Sequence, residues 1–302
     1  MLKTLRDNNV WLVSQPDHGE VSGFIAAHWG NDDFARPGHF AQSGDPERLR
    51  SETVLAIAQH DNGWWEWEAT PALTEGDGLP LDLAETLKNQ QAGMERWRLG
   101  IPRFSRRHPY VSLLISYPAY WLYAHGCQPN ADPAFAHPLF STGSPIQLMG
   151  DRVETALSFI GEIKEMQGQF TDRLREDPAC APWGDEAHLN PHVRLLQIMD
   201  GLSLSLCSAL VPSREGKAKG LGDDEFELLE VPRRSWKDRV TIAVRPAGER
   251  RIVCEPYPFD VDPLPVFVPT RILDRPAEPR ADFQSWWHAE RKQPIRFEYA
   301  SA

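Results

Sequence analysis

The sequence predicts a mainly α protein: a helical body over residues 1–215, with a smaller β-rich part over residues 216–302 packed on it. Three observations predict this. Apolar residues recur at helical spacing in most segments before residue 213, and many prolines fall between those segments. The polar stretch "SREGKAKGLGDD" (213–224) then reads as a linker. After it come short β-branched and aromatic runs separated by turns.

The elements follow in order. "NNVWLVS" (8–14) reads as a short strand or extended lead-in. Asp17 is expected to cap a helix over 18–29, with Phe24 and Ile25 on its inner face. "NDDFARPGHF" is loop. A helix from Pro46 carries Val54, Leu55 and Ala58, runs into the dyad His60-Asp61 and stops at Gly63. Residues 69–80 hold two prolines and two glycines and read as loop. "LDLAETLKNQQAGMERWRLG" (81–100) is read as one helix. "HPYVSLLISYPAYWLYAHG" (108–126) is apolar on nearly all sides, which predicts a buried helix kinked or ended near Pro118. Residues 128–147 are a Pro-rich connection. Residues 151–177 form a long amphipathic helix, with Val153, Leu157, Ile160, Ile163 and Phe170 as apolar positions. "HVRLLQIMDGLSLSLCSAL" (192–210) is the last helix. "FELLEV", "RVTIAVRP", "RRIVCEPYPF", "PVFVPTRIL" and "PIRFEYA" have strand length and composition.

Apolar residues make up 41% of 302, enough for a sizeable core. The net charge of −11 disfavours nucleic acid and anionic membranes as partners. A small anionic substrate stays open, because a metal ion or a few arginines reverse the field locally. None of the four cysteines forms C-x-x-C or stands at zinc-finger spacing with a histidine, so reduced thiols in a cytoplasmic protein are expected. The N-terminus shows no apolar signal region, and no apolar run is long enough for a bilayer. A homo-oligomer is compatible with all of this.

"AIAQHDNGWWEWE" (56–68) poses the functional question. His60-Asp61 is either the polar end of a helix or a pair of metal ligands. Asp200 bears on the choice. It stands among Leu196, Ile198, Met199, Leu202 and Leu204, where a carboxylate is expected to be buried and needs a partner or a metal. His18 follows a proline and an aspartate at a helix start. Three helices can thus bring a His or Asp to one place. Neutral nitrogen with anionic oxygen suits Fe, Mn, Zn or Co better than calcium.

This order of residues resembles the HD-domain superfamily of helical metal-dependent phosphohydrolases. More closely, the chain resembles the bacterial domain-of-unknown-function 3891 family, through "QPDHGEVSGFIAAHWG", "AIAQHDNGWWEWEATPAL", "HPYVSLLISYPAYWLY", "LLQIMDGLSLSLC" and "EPYPF". The resemblance implies an HD-domain-like helical bundle binding one or two divalent transition-metal ions, with His18, His60, Asp61 and Asp200 as ligands. One departure stands out. Such families usually carry a Ser-x-His step, and here it reads Ser116-Tyr117-Pro118. Proline cannot ligate, which leaves a single metal, a second metal with other ligands, or lost activity. His125 lies about two turns further on, roughly 10 Å away, and would substitute only across a kink.

Other candidates are weighed by position. His108, before an apolar helix, is a candidate extra site residue. His28 falls on another helix face than His18, and His39, His137, His188, His192 and His288 read as surface residues. Trp64, Trp65 and Trp67 either seal a helix end or wall the site. Glu66 and Glu68 read as solvated, or as a general base if turned inward. Arg36, Arg103, Arg106 and Arg107 are surface charges or anion binders, with Arg103 and Arg107 the candidates beside the site. No G-x-G-x-x-G after a strand, Walker A or G-x-S-x-G motif occurs. Cys127 near His125 lacks a third group for thiolate catalysis.

The expectation is a metal-dependent hydrolase of HD type acting on a small phosphorylated or otherwise anionic molecule, with Asp61 bridging a second ion or taking the proton of water. The alternatives are a di-iron oxygenase of HD type, and a catalytically silent scaffold or ligand-binding protein.

Overall fold

The computed structural model describes residues 1–140, 143–212, 219–276, 278 and 282–302. The first half of the expected linker, 213–218, lies outside the described residues. The chain opens with a β-hairpin, β1 (Leu2–Arg6) and β2 (Asn9–Val13). Its tight turn places Asp7 at φ 47°, a left-handed conformation that aspartate tolerates. Helices follow: α1 (Gln15–Ala27), α2 (Pro46–Ala58), α3 (Trp65–Ala69), α4 (Leu83–Leu87), α5 (Gln90–Gly100), α6 (Pro109–Cys127), α7 (Asp151–Arg175) and α8 (Glu186–Cys207). The chain closes with β3 (Phe226–Ser235), β4 (Asp238–Pro246), β5 (Arg251–Glu255), β6 (Leu264–Asp274), α9 (Phe283–Ala289) and β7 (Gln293–Ala300).

The strands form one seven-stranded sheet in the order β1-β2-β6-β7-β5-β4-β3. All neighbours are antiparallel except β5 and β7. This corrects the mainly α, HD-domain-like bundle. The sheet is a principal layer of the molecule. It also crosses the division expected at residue 215, because β2 pairs with β6 (Asn9↔Asp274, Leu12↔Arg271). Hairpin and C-terminal strands each look minor along the sequence, and their pairing over such a separation leaves no local signature. β2 is buried on both faces. Val10 and Leu12 meet Leu273, Phe283 and Trp287, while Val13 joins the main core with Val266, Val268 and Phe297. The sheet packs on α1 through β6 and on α8 through β3. Tyr299 at its centre donates to the Leu202 carbonyl of α8 at 3.1 Å.

Several element boundaries differ from expectation for local reasons. Ser14, not Asp17, caps α1, accepting from Asp17 N–H at 3.1 Å, and Pro16 fits the first turn. α2 ends at Ala58, before the dyad, and a 3-10 turn over Asn62–Trp64 follows. Residues 81–100 form two helices, because Asp82 caps α4 with a capping box and Asn89 caps α5. α6 does not end at Pro118 but continues through it to Cys127. Its apolar surface is gripped by α2, α5, α7 and α8, and that packing outweighs one lost hydrogen bond. α8 starts before His188, so His188 and His192 are buried rather than on the surface. His192 is satisfied as a neutral ring: Gly38 N–H donates to Nε2 at 2.9 Å, and Nδ1 meets the Tyr110 hydroxyl at 2.6 Å. All four cysteines are unpaired. Among the described residues no helix is long and apolar enough to cross a membrane.

α1 and α2 cross at two glycines. A Cβ on Gly19 would lie 2.8 Å from the Ala58 carbonyl oxygen, and one on Gly23 would press closer still on the Ala58 methyl. Gly23→Ala is therefore expected to cost about 1–3 kcal/mol in urea unfolding through overpacking. An unchanged midpoint would show that the crossing has slack.

Candidate metal centre

Three elements deliver the central side chains. Capping by Ser14 puts His18 in the first turn of α1, fully buried. The close α1–α2 crossing brings the end of α2 alongside, and the chain leaves that helix through Gln59, His60 and Asp61. Asn62 holds this exit by donating Nδ2–H to the Gln59 carbonyl at 2.8 Å and the Gly100 carbonyl at 3.2 Å. α8 supplies Asp200, with Gln197 and Leu204 on the same helical face.

The geometry is tight. Asp200 Oδ1 lies 2.9 Å from His18 Nε2 and 3.5 Å from His60 Nε2. Asp61 Oδ2 lies 3.7 Å from His60 Nε2 and 4.0 Å from His18 Nε2. One ligand atom each from His18, His60 and Asp200 falls within 4.8 Å of the others. Asp200 Oδ2 is held from the other side by His137, whose Nε2 lies at 3.2 Å.

Proton positions follow from the hydrogen-bond network. His60 Nδ1 faces the Ile57 carbonyl at 2.8 Å and must donate to it, so in the neutral ring the second nitrogen carries the lone pair. That Nε2 is buried and has no hydrogen-bond partner. Ser203 donates to the His18 carbonyl at 2.9 Å, and its Oγ then accepts from His18 Nδ1 at 2.7 Å. In its neutral form His18 likewise points the lone pair of Nε2 at Asp200, 2.9 Å away. Leu139 N–H donates to His137 Nδ1 at 3.3 Å, so His137 is the opposite tautomer and donates Nε2–H to Asp200. Two lone pairs and two carboxylates converge on one point, and only a positive species satisfies them. A proton on an imidazole is one such species and a metal cation is another. The donor set fits a divalent transition metal.

Charge states agree with this reading. Burial opposes a charge on His60, but the Asp61 and Asp200 carboxylates outweigh it and lift the ring to about 9. Burial pushes the Asp61 carboxyl up. Burial also works against charge on Asp200, yet the hydrogen bond from His137, together with His18 and His60 when their rings are protonated, holds it well below the usual carboxylate range. Two neighbouring acids are thus pushed in opposite directions, the pattern of a site that divides roles between them.

The side chains open onto a cavity of about 110 Å³. Trp64, Trp97, Trp121, Phe135, Pro118 and Leu87 supply its apolar wall, with residues from α4, α5, α6 and the 133–145 connection. No described strand residue lines it.

The structure brings His18, His60, Asp61 and Asp200 together and sets other candidates aside. Trp64 lines the cavity. Trp65 is 40% exposed under Arg103. Arg103 is engaged by Glu66 at 2.8 Å and Arg107 is exposed, so neither borders the cavity. Both stand beyond α5, in the short segment leading to α6, where surface acids are the available partners. His108 pairs with Glu52 at 2.7 Å instead. His125 packs against Trp121 without lining the cavity. Glu68 is not solvated: it is 7% exposed and accepts from Gln15 N–H at 2.7 Å, anchoring the start of α1. Two residues escaped the sequence reading. His137, expected on the surface, reaches Asp200 because the Pro-rich connection folds back over the cavity. Arg96 lies in an ordinary amphipathic pattern, and its only signal is the cluster of tryptophans that it meets in space.

A family model described as protein of unknown function (DUF3891) matches residues 1–275, and the chain belongs to that family. No curated protein and no solved structure matches it.

Without a bound cation, His60 has a folded-state pKa near 9 against an unfolded value of 6.5. Its contribution to stability is fully present below pH 6.5 and is lost as pH rises through 9. The loss is expected to reach about 3 kcal/mol at most. Urea unfolding at pH 6 and pH 10 measures it, and the same pH slope in His60→Gln would remove His60 as its source.

Proposed function

We propose that this member of the DUF3891 family is a metal-dependent hydrolase acting on a compact anionic molecule such as a phosphate ester. The observation that carries the reading is the unpartnered, buried Nε2 of His60, aimed with that of His18 at the carboxylates of Asp200 and Asp61. The ligand order resembles that of HD-type phosphohydrolases, although the fold around it is different. His18, His60, Asp200 and Asp61 would hold the ion. When bound, a divalent ion supplies Lewis acidity and makes nearby water acidic enough to lose a proton near neutral pH.

The chain's own residues divide the remaining work. Asp61, whose carboxylate has no hydrogen-bond partner among the described residues and is pushed up by burial, accepts a proton from water in the cavity through the oxygen it does not turn to the ion. His137 orients Asp200 by donating to Oδ2, leaving Oδ1 turned to His18 and His60. Ser203 and the Ile57 carbonyl fix the two imidazole planes. Trp64, Trp97 and Trp121 exclude bulk water, which strengthens charge interactions in the site. At about 110 Å³ the cavity admits a small molecule, or one end of a larger one.

Purified protein is expected to carry about one equivalent of divalent transition metal, with the content falling at least tenfold in His60→Ala and Asp200→Asn. Element-resolved mass spectrometry reads this, and a screen of phosphate esters follows with the metal restored. Metal-free protein whose stability does not respond to His60→Ala would leave a silent scaffold as the better account.

A further inference from the structure

Arg96 lines the same cavity as His18, His60 and Asp61, and among the described residues no other lysine or arginine does. It is 7% exposed. Its guanidinium carbon lies over two indoles, 4.0 Å from the Trp64 ring centroid and 4.4 Å from that of Trp67. Nε and Nη1 are buried and have no hydrogen-bond partner. Glu68, next to Trp67 in sequence, is engaged instead by Gln15 N–H at 2.7 Å and the Met1 amino group at 2.5 Å. Arg103 has the same kind of tryptophan contact and also a buried Nε without a partner, but its Nη2 donates to both carboxylate oxygens of Glu66 and it does not line the cavity.

An interior guanidinium with unmet donors is costly, and cation–π contact offsets only part of that cost. The indole faces meet the positive charge but provide no acceptor for the N–H groups. An oxyanion does, and the guanidinium donor set matches carboxylate and phosphate oxygens. We propose that Arg96, clamped by Trp64 and Trp67, is the residue that binds the anionic group of the ligand in this cavity. The ligand is then a compact oxyanion with an apolar flank, the flank resting against Leu87, Trp97, Trp121 and Phe135. This deepens the hydrolase reading and rests on it for the reacting bond, but anion binding itself is read without turnover. The protein's bulk charge of −11 opposes anions at long range, so a buried, desolvated cation is the device that selects them at short range.

Titration of the whole protein with inorganic phosphate, and separately with acetate, tests this by calorimetry and by tryptophan fluorescence. Wild type, Arg96→Lys, Arg96→Met and Arg103→Met are compared at equal metal content. Saturable binding of at least one anion to wild type and to Arg103→Met is expected, about tenfold or more weaker in Arg96→Lys and absent in Arg96→Met. The anion that binds tells phosphate from carboxylate. Equal affinity in wild type and Arg96→Lys, or no saturable binding of either anion to wild type, overturns the assignment. Should Arg96→Met fail to fold, Arg96→Lys decides alone, since it keeps the charge over the indoles and loses the planar donor set. Arg96-dependent anion binding in a protein that hydrolyses no ester would sink the hydrolase reading and keep the clamp. Ester turnover with an unchanged KM in Arg96→Lys, together with unchanged anion affinity, would do the reverse.

Discussion

Asp200 carries a negative charge into the interior of the protein, and the surrounding structure is organised to hold it there. A carboxylate in that position is destabilising by several kcal/mol unless its oxygens find partners. Oδ2 finds His137, and Oδ1 faces His18 and His60. Each of those imidazoles is fixed in turn by a group with little freedom of its own, a backbone carbonyl for His60 and a helix serine for His18. The constraint therefore spreads from one side chain to three helices and a loop.

Bringing those helices so close takes special local chemistry. Gly19 and Gly23 let α1 lie against Ala58, and Ser14 with Pro16 starts α1 early enough to include His18. Lys292, near the start of β7, reaches Asp17 at 2.6 Å, tying the C-terminal segment to the same helix start. The sheet contributes nothing to the cavity wall but sets α1 and α8 in place from behind. The C-terminal strands are in this sense part of the site's scaffold.

The cavity itself is a balance of opposed charges in an apolar shell. Asp61 and Asp200 attract a cation on one side, and Arg96 offers unmet donors along the same wall. In this buried, largely apolar surrounding each interaction is stronger than it would be at the surface. The same residues on an exposed face would amount to scattered charges of little consequence.

The sequence by itself determined the helical segments with strong periodicity or apolar content, notably α6 and α7, and it marked His18, His60, Asp61 and Asp200 as candidates. Those readings rest on patterns within a few turns of chain, where hydrophobic spacing and the cost of burying a carboxylate are visible directly. Only the tertiary structure decided the rest. The seven-stranded sheet depends on pairing residue 9 with residue 274; His137 became a site residue because its Pro-rich connection folds back over the cavity, and Arg96 because a tryptophan cluster meets it in space. Contacts between distant segments depend on packing over the whole chain, and no spacing within one segment encodes them.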